Sequence, residues 1–382
     1  MQNYQDIPSR GSVTDDERHL RRCFALAEQG RYSCRPNPVV GCVVVGNNGV
    51  LAEGWHQVAG QAHAEVHALE QVGEQARGAT LYVSLEPCVH QGRTGPCTEA
   101  IIRSGISRLV YAMQDPNPLV AGKGLARLRD AGITVVGPLL QVEAEALNPG
   151  FIKRMTQQLP YVRCKVGMSL DARTAMQSGE SRWITGPAAR AEVQWLRARS
   201  CAVLTGIGTI LQDDASLNVR LENYTGLQPL RVIADTHGRI SPRARVLQWP
   251  GSVLLACSDE AARSLQQQDV CASGVQATCT ITGVPLLNGK LNLPFLLRQL
   301  AADWQCNEVL VEAGPALTGA MLQAGLVDEL VTYIAPALLG DMARPLAIMP
   351  GLDRLADKLR LQFLDVAMVG EDCRIRSRVL NP

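Results

Sequence analysis

Apolar positions recur along this chain with two periods, and the switches between them mark out the elements. Thr14-Asp15-Asp16-Glu17 has the form of a capping box and opens a helical pattern that stops at Gly30. Residues 39–45 form a short apolar, β-branched run, a predicted strand. Asn47-Asn48-Gly49 turns it into a second strand at 50–56. Helical spacing returns over 63–76, strand character over 80–85, a helix over 96–104 and a strand over 107–112. Residues 124–131 and 133–136 repeat the helix–strand alternation. The stretch 148–160 reads as a connection with room for one helical turn. Beyond it, 161–169, 200–205, 230–234, 253–256 and 308–312 are predicted strands, and Thr185 followed by Pro187 marks a helix start. Strands alternating with helices after one hairpin predict an α/β chain with mostly parallel sheets. We place two domains, at 14–158 and 159–382. No internal repeat or low-complexity tract interrupts them.

Composition fits this reading. The chain has 382 residues, too many for one ordinary core, and 46% of them are hydrophobic. Lys and Arg number 37 against 36 Asp and Glu, and only 4% of residues are aromatic. A broad basic footprint or a base-stacking surface is therefore not expected, so we expect no nucleic-acid partner. The polar start and the lack of an 18-residue apolar run predict no membrane partner and a soluble, cytoplasmic protein. Twelve cysteines are present, without any C-x-x-C pair. In a long chain of this kind a disulfide framework is not expected. Cys23, Cys42, Cys164 and Cys201, set in apolar stretches, read as small buried hydrophobes.

Five of the six histidines fall in the first quarter of the chain. His63-Ala64-Glu65 lies on the predicted second helix. Leu85-Glu86-Pro87-Cys88 and Gly95-Pro96-Cys97 follow. His63, Cys88 and Cys97 would give Zn²⁺ three protein ligands and leave one position for water, as a catalytic site requires. On a helix, Glu65 projects about 200° from His63, free to act as a general base and acid instead of a ligand. His67 is read as structural, because the ligand count is already filled. The H-x-E…P-C signature is that of zinc-dependent base deaminases.

The longer spacing between the two cysteines, with His90-Gln91-Gly92-Arg93-Thr94 inside it, resembles the riboflavin-biosynthesis deaminase. Asn37-Pro38-Val39-Val40-Gly41 and Asp115-Pro116-Asn117-Pro118 are similar to the same family. The resemblance implies a cytidine-deaminase-like α/β/α sandwich with a mixed sheet, in which Asn37, His56, His90, Arg93 and Asp115 contact the substrate. The second half resembles the reductase of that pathway, a dihydrofolate-reductase-like α/β domain. The similar segments start at Lys165-Val166-Gly167-Met168-Ser169-Leu170-Asp171-Ala172, Ser181-Arg182-Trp183 and Gly206-Ile207-Gly208-Thr209, and end at Ala313-Gly314-Pro315-Ala316-Leu317-Thr318-Gly319-Ala320. The strand-to-helix turn at that end is also suited on its own to phosphate.

The resemblance implies that Ser181, Arg197, Leu217, Arg220 and Glu312 hold the substrate, Arg197 and Arg220 as phosphate clamps. It further implies that Gly167, Trp183, Thr209, Asp213 and Gly314, Pro315, Ala316, Leu317, Thr318, Gly319 and Ala320 contact NADPH. Lys165 and Glu312 are its candidate catalytic residues. Ala172 stands where the family commonly has Gly, so a left-handed turn there would be strained. The expected protein is a bifunctional enzyme acting on a small nucleotide, a homo-oligomer with one Zn²⁺ per chain. It would first deaminate 2,5-diamino-6-ribosylamino-4(3H)-pyrimidinone 5′-phosphate, then reduce the ribosyl group to give 5-amino-6-ribitylamino-uracil 5′-phosphate. An editing deaminase acting on nucleic acid, and a nucleotide-binding protein with structural zinc, are the other classes these motifs fit.

Overall fold

The computed structural model describes residues 13–89, 95–268, 270–271 and 275–380. The chain divides into two compact units, Met1–Met155 and Thr156–Pro382.

The first unit runs α1 (Asp15–Gln29), β1 (Gly41–Gly46), β2 (Gly49–Trp55), α2 (Ala64–Val72), β3 (Thr80–Val83), α3 (Cys97–Ser104), β4 (Arg108–Tyr111), α4 (Lys123–Asp130), β5 (Thr134–Val136) and α5 (Gln141–Leu147). Thr14 and Glu17 form the expected capping box on α1. The sheet order is β2-β1-β3-β4-β5, antiparallel around β1 and parallel from β3 to β5. Side chains alternate across it, because successive residues of a strand face opposite ways. Cys42, Val44, Leu81 and Leu109 pack against Ala68, Leu69, Ile101 and Leu128 of α2, α3 and α4. Val43, Tyr82 and Val110 pack against Leu20, Phe24, Ala144 and Leu147 of α1 and α5. The result is a three-layer α/β/α sandwich.

The stretch 148–160, expected as a connection, is largely the helix α6 (Pro149–Gln157). Its Phe151 is buried in the same cluster as α1 and α5, and this packing stabilises a helix that the sequence pattern left weak.

The second unit continues with β6 (Tyr161–Ser169), β7 (Arg173–Ala175), α7 (Pro187–Arg199), β8 (Ala202–Gly206), α8 (Ile207–Asp213), β9 (Leu230–Ala234), α9 (Arg245–Gln248), β10 (Gly251–Cys257), α10 (Asp259–Gln267) and β11 (Ala277–Gly283). The small hairpin of β12 (Leu286–Leu287) and β13 (Lys290–Leu291) leads to α11 (Leu293–Ala302), β14 (Glu308–Val311), α12 (Pro315–Gln323), β15 (Glu329–Ala335) and β16 (Arg344–Pro345). The closing hairpin is β17 (Arg360–Val369) and β18 (Asp372–Leu380). The large sheet has the order β11-β10-β9-β8-β14-β6-β15-β18-β17. It is parallel from β11 to β15, and the last two strands are antiparallel. Both faces of its parallel part are covered, which explains the nearly continuous apolar runs of its strands. Val162, Cys164 and Val311 face α11 and α12, while Val203, Ile233 and Leu255 face α8, α9 and α10.

Ala172 takes φ +59°, the left-handed conformation expected to strain this turn. Cys23, Cys42 and Cys164 are buried and Cys201 is partly so. Against the expectation of unpaired cysteines, Cys271 and Cys279 are joined. The turn after α10 brings Cys271 beside β11, with the two Cα atoms 5.5 Å apart.

Candidate active sites

In the first unit the ligand-bearing residues come from the ends of three elements. His63 is the N-cap of α2 in extended backbone (φ −79°, ψ 169°) and not part of the helix. The 200° helical offset between His63 and Glu65 therefore does not apply: Glu65 sits in the first turn of α2 while His63 leads into it. Cys88 follows the end of β3. Cys97 is the first residue of α3, and its backbone N–H donates to the Cys88 sulfur (3.4 Å).

His63 Nδ1 lies 3.2 Å from the Cys97 sulfur and 3.6 Å from that of Cys88. All three donor atoms lie within 4.8 Å of one another. Zn–S and Zn–N bonds of about 2.3 and 2.0 Å imply donor separations of about 3.5–3.8 Å around a tetrahedron, so this set fits the ion. His67 is not in it. Hydrogen bonding with Cys97, opposed by burial and helped by His63, holds the Cys88 thiol below the usual value, which favours its thiolate.

Glu65 is 3% exposed, and its Oε2 has no hydrogen-bond partner among the described residues. Burial pushes its carboxyl above the usual value. A buried carboxylate with a free oxygen beside a metal donor set has the attributes of a proton shuttle.

His56 is buried and doubly held: its Nδ1 contacts the Ala62 carbonyl at 3.1 Å and its Nε2 contacts Asn37 Nδ2 at 3.0 Å. The tautomer that donates to Ala62 and accepts from Asn37 is neutral. Burial agrees, bringing the ring down to about 4. The Asn37 loop is itself clamped by Asn148, whose side chain accepts from Val39 N (2.8 Å) and donates to Val39 O (2.9 Å). The sequence had assigned Asn148 to a connection, and only its distance in space reveals this role. Asp115 is buried, which pushes its carboxyl up to about 6. His90 and Arg93 lie outside the described residues.

In the second unit a cavity of about 1280 Å³ opens at the carboxyl ends of the parallel strands. Lys165, Gly167, Ser181, Trp183, Arg197, Thr209, Asp213, Leu217, Arg220 and Glu312 all line it, as do Gly314, Pro315, Ala316, Leu317 and Ala320. Thr318 and Gly319, expected among the cofactor contacts, do not. Thr318 is fully buried and donates to the Ala313 carbonyl (3.3 Å). A Cβ on Gly319 would meet the Ile348 carbonyl oxygen at 2.0 Å. That glycine serves close packing and leaves Gly314–Leu317 to face the cavity.

Arg197 corrects another expectation. Instead of presenting an open fork to phosphate, it donates Nε and Nη2 to Glu312 at 2.5 and 2.9 Å, and Nη1 to the Asn218 carbonyl at 3.0 Å. Burial would raise Glu312, but Arg197 and then Lys165 hold its carboxyl below the usual value. Burial lowers Lys165 against the pull of Glu312. Arg220 Nη1 donates to Ser216 Oγ (2.8 Å) and Asn218 Oδ1 (3.3 Å) at the cavity wall. Arg182, Thr236, Arg239, Arg245 and Arg344 also line the cavity. Sequence reasoning missed them because they come from separate loops and element ends with no shared spacing.

Two family models match the chain. The cytidine and deoxycytidylate deaminase zinc-binding region covers residues 13–113, and the RibD C-terminal domain covers 160–375. Riboflavin biosynthesis protein RibD of Escherichia coli K12 is 48% identical over 368 residues, which span 94% of this chain and 97% of that protein. The RibD protein of Haemophilus influenzae is 46% identical, over 93% and 95% of the two chains. Among solved structures, Acinetobacter baumannii RibD (form 1) superposes with a TM-score of 0.87 at 44% identity, covering 96% of this chain and 99% of that one. A Thermotoga maritima diaminohydroxyphosphoribosylaminopyrimidine deaminase/5-amino-6-(5-phosphoribosylamino)uracil reductase reaches 0.83 at 30% identity, with the same coverage. With a zinc donor set and its buried carboxylate in one unit, a nucleotide-sized cavity in the other and this similarity across both, the chain belongs to the RibD family, the bifunctional zinc-dependent deaminases and NADPH-dependent reductases of riboflavin biosynthesis.

Proposed function

We propose that the first unit deaminates 2,5-diamino-6-ribosylamino-4(3H)-pyrimidinone 5′-phosphate and that the second reduces the ribosyl group of the product to ribityl. The observation that carries this reading is the pairing, in one chain, of the His63/Cys88/Cys97 donor set and Glu65, whose Oε2 is unpaired among the described residues, with the Lys165/Glu312 cavity. Zinc, when held by His63, Cys88 and Cys97, supplies the Lewis acidity that makes water a nucleophile at neutral pH. Glu65 takes up a proton and returns it to the departing amine. Asn37, neutral His56 and Asp115 hold the pyrimidine, with His90 and Arg93 completing the contacts.

NADPH supplies the hydride in the second unit. Gly314, Ala316 and Leu317 at the start of α12 offer backbone N–H groups to its phosphates, and Gly167, Trp183, Thr209, Asp213, Pro315 and Ala320 line its place. Ser181, Leu217 and Arg220 hold the substrate. Lys165 and Glu312 orient the sugar, with Arg197 fixing Glu312 in place. We assign the deaminase to 14–158 and the reductase to 159–382.

The protein is a cytoplasmic homo-oligomer in this reading. Among the described residues no helix is long and apolar enough to cross a membrane. Edge strand β17 exposes Leu361, Phe363, Val366 and Met368, a row suited to cover by a second copy.

Glu65→Gln tests the assignment. It should keep zinc and lower the rate of ammonia release by about 10²–10⁴-fold. NADPH oxidation on the deaminated intermediate should stay at the wild-type rate. Unchanged ammonia release would sink the role given to Glu65.

A further inference from the structure

Glu86 is 3% exposed, and no Lys or Arg pairs with it among the described residues. Its carboxylate is satisfied by main-chain amides instead. Oε2 accepts from Asp115 N (3.2 Å) and Gly122 N (2.9 Å); Oε1 accepts from Gly124 N (2.9 Å) and Leu125 N (3.4 Å). Gly122 is the N-cap of α4, which has no side-chain cap of its own. Glu86 therefore supplies, from another element, the acceptor that a helix start needs. The same carboxylate reaches the backbone of Asp115, while its own backbone N–H donates to the Met113 carbonyl (3.0 Å). Two residues further along the chain stands Cys88.

Little slack remains in this arrangement. A Cβ at Gly124 would meet the Pro87 carbonyl oxygen at 2.1 Å, so the start of α4 presses directly on the Glu86–Cys88 segment. Asp115 Oδ1 accepts from Asn117 N (2.8 Å), and Asn117 Oδ1 from Leu119 N (3.0 Å), which stiffens the loop from within.

We propose that Glu86 is a positioning residue for deamination, setting the loop that carries Asp115 against the strand end that carries Cys88. This rests on reading Asp115 as a substrate contact. Glu86 touches neither substrate nor metal in this scheme and acts through the placement of Asp115. Removing its second acceptor oxygen turns an amide group toward backbone donors, and the loop must shift to avoid the clash.

The test uses the full-length, zinc-loaded chain and follows ammonia release from the diaminopyrimidine ribonucleotide. Glu86→Gln should raise KM by about tenfold or more while kcat changes by less than about threefold and zinc content is unchanged. Reduction of the deaminated intermediate, carried by the other unit, should be unaffected. Glu86→Asp keeps both oxygens and should recover most of the KM. In a chain already carrying Asp115→Asn, Glu86→Gln should raise KM by less than about twofold, since the contact it misplaces is gone.

An unchanged KM in Glu86→Gln would overturn the proposal, as would an undiminished rise in the Asp115→Asn chain. Loss of zinc with collapse of kcat in both Glu86 variants would also overturn it, by making Glu86 a support for Cys88. If Glu86→Gln fails to fold, Glu86→Ala carries the same cycle with Asp115→Asn, additive KM effects being the adverse result. A wild-type chain that releases no ammonia would defeat the functional reading itself and the proposal with it.

Discussion

In the first unit the buried carboxylates Glu65 and Asp115 have no arginine or lysine paired to them among the described residues, and burial pushes both upward, Asp115 to about 6. In the second unit Glu329 is as deeply set and Glu312 nearly so, yet both are held below the usual value. Arg197 grips Glu312, and Arg163 and Arg376 grip Glu329. The difference matches the two chemistries. A site that moves protons needs a carboxyl able to exist in both forms, whereas a site that orients a sugar for hydride transfer needs fixed charges. Charge pairing in the second unit favours geometry at the expense of titration.

The most severe way to break the contrast is Arg197→Met, which leaves Glu312 buried without its main partner. The reductase unit should lose about 3–5 kcal/mol and its activity, with ammonia release retained. Adding Glu312→Gln should restore stability, read by chemical denaturation of that unit, but not reduction.

A smaller effect is expected from Asp115→Asn. A carboxyl raised in the folded state contributes stability below its unfolded value and loses it as pH rises through the folded value, here near 6. The variant should therefore stabilise the deaminase unit by about 1–2 kcal/mol above pH 6, a gain that fades between pH 6 and 4. Hydrogen exchange at the two ends of this range measures it, and substrate binding should weaken at both. For Glu312 and Glu329 the sign is opposite. Their contribution is present above the unfolded carboxylate value and lost as pH falls through the lowered folded one, so acid should loosen the reductase unit through these pairs.

The mildest change is Ala172→Gly. Releasing a left-handed alanine should stabilise the reductase unit by about 1 kcal/mol, seen as a shift in its denaturation midpoint with KM unaltered.

Local chemistry was legible in the sequence where it is carried by local signals. The capping box at Thr14, the Asn47-Asn48-Gly49 turn and the metal donors announce themselves through residue type and spacing, and the strain at Ala172 through a single missing glycine. Long-range consequences were not legible. α6 is stabilised by the burial of Phe151 against residues more than a hundred positions away. His63 left the helix because its backbone is extended at the N-cap. Arg197 looked like a phosphate clamp until Glu312, 115 residues on, took up its fork. The β17–β18 hairpin carried no readable chemistry, because the apolar residues of β17 lie on an exposed edge and report no core.

The strand order has a consequence for how the protein is made. Every strand of the first sheet lies next to at least one partner close in sequence, so residues up to 155 can fold, and gather the metal ligands, soon after they leave the ribosome. The second sheet cannot close in that way. Its central strand β14 separates β8 from β6 and is synthesised about 100 residues after β8 and about 140 after β6. For that interval the flanking strands wait with an open edge, and this stage is where the nascent chain has most need of a chaperone.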